Sequence, residues 1–435
     1  MEPKNWGIVG GGIMGMTLAH RLAQQGHKVT IYEAAPELGG LVSPWKMNDV
    51  EWDKFYHVIL LSDNWTRTIL KEIGLDDKIE WVETKTGFYM NGKLYSMSDT
   101  IEFLKFPTLN LIDKFRLGLT ILVASKIKNY KKLETVPVTD WLRRWSGKRT
   151  FNKIWMPLLR AKLGESYQKT SAVFIWATIQ RLYGARKSGL KKEMFGYVPG
   201  GYKKVIEAFK QKLVAEGVNI KTSYPVREVK SADGGKPVVV FNDNSSQQFD
   251  EVIVTLPSGL AAKLCKGLKE PEVQKLNNID YLGVICLAVL LDKPISPFYV
   301  TNITDTRFPF TGVIEMSALV DKKHLGGNSL IYLPKYVSSE DPMFNQSDDE
   351  IRNYFIDNFK KMYPWLTDDN IKFAGVARAK HVITVIKLNY SDNLPEVKTS
   401  IPGVSIINTS YIKDGTLNVN ETVRVAETKL EEILR

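Results

Sequence analysis

The stretch that decides the fold is Trp6–Gly15, WGIVGGGIMG, a short apolar run that breaks into closely spaced glycines. An amphipathic segment follows and ends at Gly26, and the next apolar run, Val29 to Tyr32, is closed by Glu33. Strand, glycine turn, helix and acid-tipped strand fit within about 30 residues, the length of one dinucleotide-binding unit. The sequence therefore predicts a dinucleotide-binding βαβ unit at the start of the chain.

Each residue of the glycine turn has a physical role in such a unit. Gly10 permits the tight turn, Gly12 lets the backbone approach a pyrophosphate without a Cβ in the way, and Gly15 allows close packing of helix on strand. The first helical turn, which contains Ile13 and Met14, presents free N–H groups and the positive end of the helix dipole to the phosphates. These five residues are our candidates for cofactor binding.

A second glycine pair, Gly39-Gly40, lies beyond Glu33 and is followed by Leu41. Glu33 is placed to accept hydrogen bonds from an adenosine ribose, and its charge disfavours a 2′-phosphorylated ligand. With this second pair, the sequence resembles the superfamily of FAD-dependent amine oxidases, protoporphyrinogen oxidases and phytoene desaturases. In that superfamily the Gly-Gly backbone lies against FAD near the pyrophosphate and the flavin. The resemblance therefore implies FAD as the cofactor, bound in part by Glu33, Gly39, Gly40 and Leu41.

Later segments carry the resemblance further. The residue that matches Val226 clasps the adenine in that family through its backbone. After a strand predicted at 402–407, Asn408-Thr409 stands where the family usually has Gly-Asp. We predict that Asn408 and Asp414 contact the ribitol and the flavin, with Asn418 as a further candidate. The alternative is that these residues only form turns, as Asn and Asp commonly do.

The resemblance implies an α/β fold in which a substrate domain interrupts a Rossmann-like FAD-binding domain. The substrate domain is expected to contain a sheet and a helical, basic insertion. Asn91-Gly92 between aromatic-rich runs predicts a hairpin in it. The ranges expected for the FAD-binding domain are 1–60, 195–262 and 372–435. Those expected for the substrate domain are 61–194 and 263–371, with its helical basic part at about 98–194.

Composition excludes several classes of protein. The 435 residues contain only two cysteines, Cys265 and Cys286, too few for a disulfide framework or a cysteine-based zinc site. The five histidines show no metal-ligand spacing, so we expect no metal. No apolar run reaches the roughly 18–20 residues of a spanning helix, and the start does not read as a secretory signal. We therefore expect a cytoplasmic protein, with the inner face of a membrane as an alternative location.

The net charge of +11 is concentrated in Arg143–Lys192, which contains thirteen Lys or Arg and one acid, Glu165. Three interpretations stay open: a peripheral contact with an anionic membrane, an anion-binding wall for a substrate, and a solvated helical face. Tryptophans in and beside the segment favour the membrane interpretation if they lie at headgroup level. The wall would use Arg160, Arg181 and Arg186, because guanidinium groups bind oxyanions in a bidentate manner. No nucleic-acid-binding motif accompanies the charge.

The reaction suggested by the resemblance is hydride transfer from a small organic substrate, anionic or lipid-like, to FAD. Flavin chemistry needs little from the protein beyond position and electrostatics. His57 is the one catalytic candidate, because relatives place its segment close to the flavin; a structural histidine is the alternative. A second hypothesis is a flavin-dependent sugar-nucleotide enzyme similar to UDP-galactopyranose mutase. A third, from another class, is a lipid-binding escort protein without FAD, similar to the Rab GDP-dissociation inhibitors.

Overall fold

The computed structural model of the chain describes residues 2–98, 102, 105–107, 109–186, 193–232 and 234–435, without the side chains of residues 182–186. The strands in this part of the chain are β1 Asn5–Val9, β2 Lys28–Tyr32, β3 Pro44–Met47, β4 Val50–Asp53, β5 Ile59–Leu60, β6 Glu80–Glu83, β7 Thr86–Met90, β8 Lys93–Ser96, β9 Met194–Tyr197, β10 Asn219–Lys221, β11 Val226–Ser231, β12 Pro237–Phe241, β13 Ser246–Gln248, β14 Glu251–Val254, β15 Tyr281–Leu291, β16 Val300–Ile303, β17 Gly312–Glu315, β18 Ser329–Ser338, β19 Ile371–Thr384 and β20 Val404–Ile406. The α-helices are α1 Ile13–Gln24, α2 Asn64–Glu72, α3 Leu111–Lys126, α4 Val138–Thr150, α5 Met156–Leu163, α6 Val173–Arg186, α7 Gly201–Ala215, α8 Ser258–Leu264, α9 Glu270–Asn277, α10 Asp348–Met362 and α11 Val419–Leu434.

Five short strands form a parallel sheet in the order β10-β2-β1-β14-β20. Ile8 of β1 pairs with Ile31 of β2 on one side and Ile253 of β14 on the other, and all three are fully buried. A parallel sheet covered on both faces needs apolar strands at its centre, and β1 and β14 supply them, whereas the edge strand β10 is Asn-Ile-Lys with both polar residues exposed. The carboxyl ends of the strands share one edge, where Gly10 follows β1 and Glu33 follows β2. The predicted βαβ unit and the α/β class are confirmed.

Both faces of this sheet are covered. Helix α1 contacts α7 and α11, and α11 contacts α2; their shared core includes Met16, Phe209 and Val423. The other face packs Val9 and Phe249 with the antiparallel ribbon β11-β12-β13. The strands of the parallel sheet all fall within the ranges expected for the FAD-binding domain.

A second, larger sheet has the order β19-β15-β18-β17-β16-β7-β8. All eleven residues of β15 are buried, and antiparallel neighbours flank the strand on both sides. The predicted hairpin is present as β7 and β8, joined by Asn91 and Gly92 with φ of 51° and 75°. The expected boundary at residue 372 differs from the structure, because it cuts β19. The pairing of β19 with β15 continues to Thr384.

The two faces of the larger sheet have different neighbours because side chains alternate along β15. Ile285 and Leu287 face a core shared with Phe355 of α10. Cys286 and Ala288 face a core that includes residues of β3, β4 and β9. This second face is therefore the one that is turned toward the parallel-sheet domain.

The helical insertion has its own core, built by α3 to α6 around buried tryptophans. Trp141, Trp155 and Trp176 are each less than one-tenth exposed, and the indole N–H of Trp176 donates to the Ile127 carbonyl at 3.0 Å. These three rings pack inside the insertion, so they do not form an interfacial belt. No helix in the described part of the chain is long and apolar enough to cross a bilayer.

A buried carboxyl at the end of β17 makes the stability of the larger-sheet domain depend on pH. Glu315 is fully buried and accepts hydrogen bonds from the Ile295 N–H at 2.9 Å and from the Ser317 hydroxyl. Burial raises its pKa from 4.5 to about 7. Because the pKa is higher in the folded state, ionisation of this group progressively lowers the free energy of unfolding as pH rises through this interval.

We expect Glu315→Gln to become more stable relative to the parent protein, by about 3 kcal/mol, as pH rises from about 4.5 to about 8. Urea unfolding across this range measures the difference. Glu350→Gln is the control, because hydrogen bonds from Ser347 lower the pKa of Glu350; its linkage lies below about pH 4.5, so its stability should run parallel to that of the parent across this range. A Glu315→Gln curve parallel to that of the parent at every pH would contradict the prediction.

Candidate functional site

The glycine turn between β1 and α1 has the geometry predicted from its sequence. Gly10 has a φ of 111°, and its N–H donates to the Tyr32 carbonyl at 2.9 Å. A Cβ on Gly15 would lie 1.9 Å from the Gly10 carbonyl oxygen, so only glycine permits this approach of helix to strand. The amino end of α1 has no side-chain cap. Its first N–H groups, in the turn that contains Ile13 and Met14, are therefore available to an anionic ligand.

The space next to Gly12, in front of the amino end of α1, is open. A Cβ built on Gly12 meets no atom within 4 Å. The second glycine pair lies directly alongside: Gly39 N–H donates to the Gly11 carbonyl at 2.9 Å, and Gly39 forms an isolated parallel bridge with Gly12. A Cβ on Gly40 would lie 3.3 Å from the Gly12 Cα. The two glycine segments, with Leu41 just beyond, thus form one backbone cradle.

Glu33 lies at one end of this cradle. Its carboxylate accepts hydrogen bonds from the N–H groups of Gly11 at 2.7 Å and Ala35 at 2.8 Å. The backbone of β2's end also pairs with the segment before β11, since the Tyr224 N–H donates to the Glu33 carbonyl. This pairing brings Val226, the first residue of β11, to the same end of the cradle. The predicted adenosine contacts Glu33 and Val226 therefore lie in one region.

Asn408 follows β20 at the same edge of the parallel sheet. Only 2 % of it is exposed, and its amide N–H donates to the Leu256 carbonyl at 2.8 Å while its oxygen accepts the Ser410 N–H at 3.0 Å. The side chain thus ties the exit of β14 to the loop after β20. Asp414 pairs with Arg424 at 2.6 Å. Contacts of Asn408 and Asp414 with the ribitol or flavin stay predictions.

Asn418 has a defined structural role as the N-cap of α11, where its side chain accepts the Glu421 N–H at 3.0 Å. The loop before this helix forms one wall of a narrow crevice. The opposite wall comes from α6 and the end of β19. The lining is mostly apolar and contains Phe174, Val382, Ile383, Thr384, Ile386, Thr409, Ile412 and Leu417.

His57 lies in another crevice, beside the start of α7. Its Nδ1 is 3.8 Å from the Asp53 carboxylate and has no hydrogen-bond partner, while its ring packs edge-on against Tyr202 with centroids 5.2 Å apart. Asp53 instead accepts the Tyr202 N–H at 2.8 Å. This arrangement fits a structural histidine as well as a catalytic one, and the catalytic role stays a prediction.

The two candidate arginines with described side chains pair with different carboxylates. Arg160 pairs with Glu165 at 3.3 Å, and Arg181 pairs with Asp63 at 3.0 Å. The side chain of Arg186 lies outside the described residues. An anion-binding wall built from these residues therefore remains a prediction from sequence.

Sequence reasoning missed a polar cluster on the inward face of the larger sheet. The hydroxyls of Tyr56 and Tyr336 are 2.7 Å apart, and the ammonium of Lys162 lies 3.9 Å from the centroid of the Tyr336 ring. Burial raises the pKa of Tyr56 and raises that of Tyr336 to about 12, so both stay protonated at neutral pH. The alternation of side chains between the two faces of β18 could have predicted that Tyr336 lies on this face. Nothing in the sequence indicates its meeting with Lys162.

The residues present fit the adenosine-diphosphate portion of FAD. The uncapped helix end, the open space at Gly12 and the glycine backbones around it can accommodate a pyrophosphate. Glu33 and Val226 would hold the adenosine end. No group of three or more His, Cys, Asp or Glu that could hold a metal ion exists among the described residues.

Comparisons with known proteins agree with this geometry. The family described as "flavin containing amine oxidoreductase" matches residues 13–386. A curated relative, the 15-cis-phytoene desaturase of Capsicum annuum, is 21 % identical over 91 % of this chain and 69 % of its own length. An oxidoreductase from Methanosarcina mazei has a TM-score of 0.76 at 17 % identity, covering 98 % of this chain and all of its own.

A solved structure of reduced UDP-galactopyranose mutase has a TM-score of 0.72 at 14 % identity, covering all of this chain and 94 % of its own. Identities this low show a shared fold and no more. The family match spans most of the chain and includes the start of α1. The chain therefore belongs to the flavin-containing amine oxidoreductase family and is an FAD-dependent oxidoreductase.

Proposed function

We propose that this enzyme is a desaturase-type oxidoreductase that converts a carbon–carbon single bond of an apolar, unsaturated substrate to a double bond, with a hydride leaving one carbon and a proton leaving its neighbour. The observation that carries the proposal is the apolar lining of the crevice between β19 and the loop before α11. Apolar side chains there would recognise a hydrocarbon by burying its surface, a gain of roughly 25 cal/mol for each Å² removed from water. The names of two curated relatives, a phytoene desaturase and a zeta-carotene desaturase, support this substrate class.

The chain's own contribution to such a reaction is position and exclusion of water. Phe174 of α6 and Ile383 of β19 both line the apolar crevice. Leu417 lines it two residues before α11, whose amino end favours negative charge nearby. Bound FAD supplies an acceptor for the hydride that leaves carbon.

The two alternative functions have less support. A sugar nucleotide carries a diphosphate, yet Arg160 and Arg181 are each paired with a carboxylate. A lipid-binding escort without flavin has no need of the open, glycine-lined cradle at Gly12. The family to which the chain belongs is also a flavin-containing one.

Anaerobic mixing of the purified flavoprotein with candidate substrates tests the proposal. We expect 15-cis-phytoene in detergent micelles, or a related apolar polyene, to bleach the flavin absorption band. Bleaching by putrescine alone would replace the proposal with amine oxidation. Conversion of UDP-galactopyranose by the reduced enzyme, without any response to polyenes, would favour the mutase alternative.

A polar substitution in the crevice should weaken binding of an apolar substrate. We expect Ile383→Asn to raise the apparent Kd for the polyene by roughly tenfold, because part of the buried apolar contact is lost. Flavin content should not change, since Ile383 lies outside the glycine cradle. Titration of the bleaching amplitude measures the effect.

Leu388→Asn is the matched control, because Leu388 is an exposed apolar residue a few positions along the chain. It should bind the polyene as the parent does. Equal affinities for Ile383→Asn and the parent would show that the substrate does not occupy this crevice.

A further inference from the structure

Helix α3 exposes an unusual apolar stripe. The three most exposed large apolar side chains in the described part of the chain are Leu111, Phe115 and Ile112, at 77, 71 and 69 %. All three lie within the first five residues of this one helix. Leu122, further along α3, is 49 % exposed. A contiguous apolar surface of this kind on a folded protein marks a contact with something outside the chain.

The opposite side of α3 is firmly held by the rest of the insertion. Leu117, Thr120 and Ala124 are buried. The guanidinium of Arg116 donates to the carbonyls of Trp145 and Arg144 of α4. The exposed stripe is therefore the outer face of a packed helix.

Positive charge surrounds this stripe. Arg144 and Lys148 of α4 are exposed and lie beside the amino half of α3, where Arg116 contacts α4. The one acid within α3, Asp113, is buried and pairs with Arg149 at 3.1 Å. At the other end of the helix, Lys126 is also exposed. The surface therefore combines exposed apolar side chains with exposed cations.

We propose that α3 docks the enzyme on an anionic lipid bilayer, lying in the plane of the interface. Its sixteen residues span about 24 Å, enough to lie along the surface. Leu111, Ile112 and Phe115 enter the boundary between headgroups and acyl chains, while the α4 cations meet anionic headgroups. A second copy of this chain fits less well, because a symmetric contact through the stripe would bring the same cations together.

Sedimentation of the full-length flavoprotein with vesicles tests this docking. We expect binding to vesicles of phosphatidylcholine mixed with phosphatidylserine, loss of binding as salt rises, and little binding to phosphatidylcholine alone. The double variant Ile112→Ser/Phe115→Ser should lower the partition coefficient at least about tenfold. Arg144→Gln/Lys148→Gln should also lower it by roughly tenfold at low salt and flatten the salt dependence.

The matched control is Val214→Ser/Leu260→Ser, which removes two exposed apolar side chains elsewhere on the surface and should bind vesicles like the parent. Unchanged binding of Ile112→Ser/Phe115→Ser would overturn the proposal. The proposal would also be overturned if the parent protein did not bind anionic vesicles but formed a dimer in analytical ultracentrifugation, and if Ile112→Ser/Phe115→Ser abolished that dimer. Flavin absorption reports folding in every case. Because the assay needs no turnover, its failure is distinguishable from failure of the desaturase proposal.

Discussion

Gly12→Val should yield a folded but colourless protein. Gly12 has φ of −71° and ψ of 177°, a backbone conformation that any residue adopts. Nothing lies within 4 Å of a Cβ at this position, so the fold accommodates the side chain. The isopropyl group would instead fill the space in front of the α1 amino end, where we predict that the pyrophosphate of FAD binds. We expect FAD affinity to fall at least about 100-fold, roughly 2.7 kcal/mol.

Flavin absorbance after purification and titration of the apoprotein with FAD measure this effect, while circular dichroism checks the fold. Gly118→Val is the matched control, because a Cβ on Gly118 also meets nothing within 4 Å, and it should retain FAD. Parental flavin content in Gly12→Val would contradict the assignment of the cradle. Gly15→Val would be a poorer test, since its side chain would strike the Gly10 carbonyl and disturb the fold itself.

The parts of the site that lie close together in sequence were predictable. One local unit carries the turn at Gly10, the open position at Gly12 and the packing contact at Gly15, so spacing alone predicts their roles. The Asn91-Gly92 hairpin is equally local. The meeting of Tyr56, Tyr336 and Lys162 joins three distant segments, and no local pattern encodes it.

The role of the basic segment could also be predicted only in part from the sequence, because its charge is partly neutralised by residues outside it. Counting residues within Arg143–Lys192 leaves a large positive charge, yet carboxylates from outside this range neutralise part of it. Asp63 pairs with Arg181 and Asp280 with Lys169. Its tryptophans also pack inward. Only the structure shows that the exposed apolar surface, on which the membrane proposal rests, lies on α3, which precedes this segment, and that α4 places exposed cations beside it.

Helix α1, whose amino end forms part of the predicted FAD site, is held by a cluster of charged side chains around a buried histidine. His20 of α1 is fully buried, with Nε2 at 2.7 Å from Glu72 of α2 and Nδ1 at 2.6 Å from Glu216, the residue after α7. A ring that donates from both nitrogens fits these distances. Burial alone would raise the pKa of Glu72, but hydrogen bonds from Arg21 and His20 outweigh it and hold this pKa below its usual value.

We expect His20→Leu to lower the free energy of unfolding by about 2–4 kcal/mol, since it leaves two partly buried carboxylates without a shared donor. The loss is at the lower end for buried pairs, because Glu72 keeps Arg21 and Glu216 keeps Lys212 at 3.4 Å. Urea unfolding measures the change. Flavin fluorescence on heating should show earlier FAD release, because α1 positions the cradle.

A double-mutant cycle separates the ionic cluster from simple packing. Glu216→Gln should cost less in the His20→Leu background than in the parent, with a coupling of at least about 1 kcal/mol. Additive effects would mean that the ring acts only through its edge contact with Phe209, whose centroid is 5.7 Å away. In that case α1 would be fixed by packing alone. If the cluster is ionic, the position of α1 depends on charges from three separate elements. His20→Leu should then release flavin at a lower temperature than an apolar core variant with the same loss of stability.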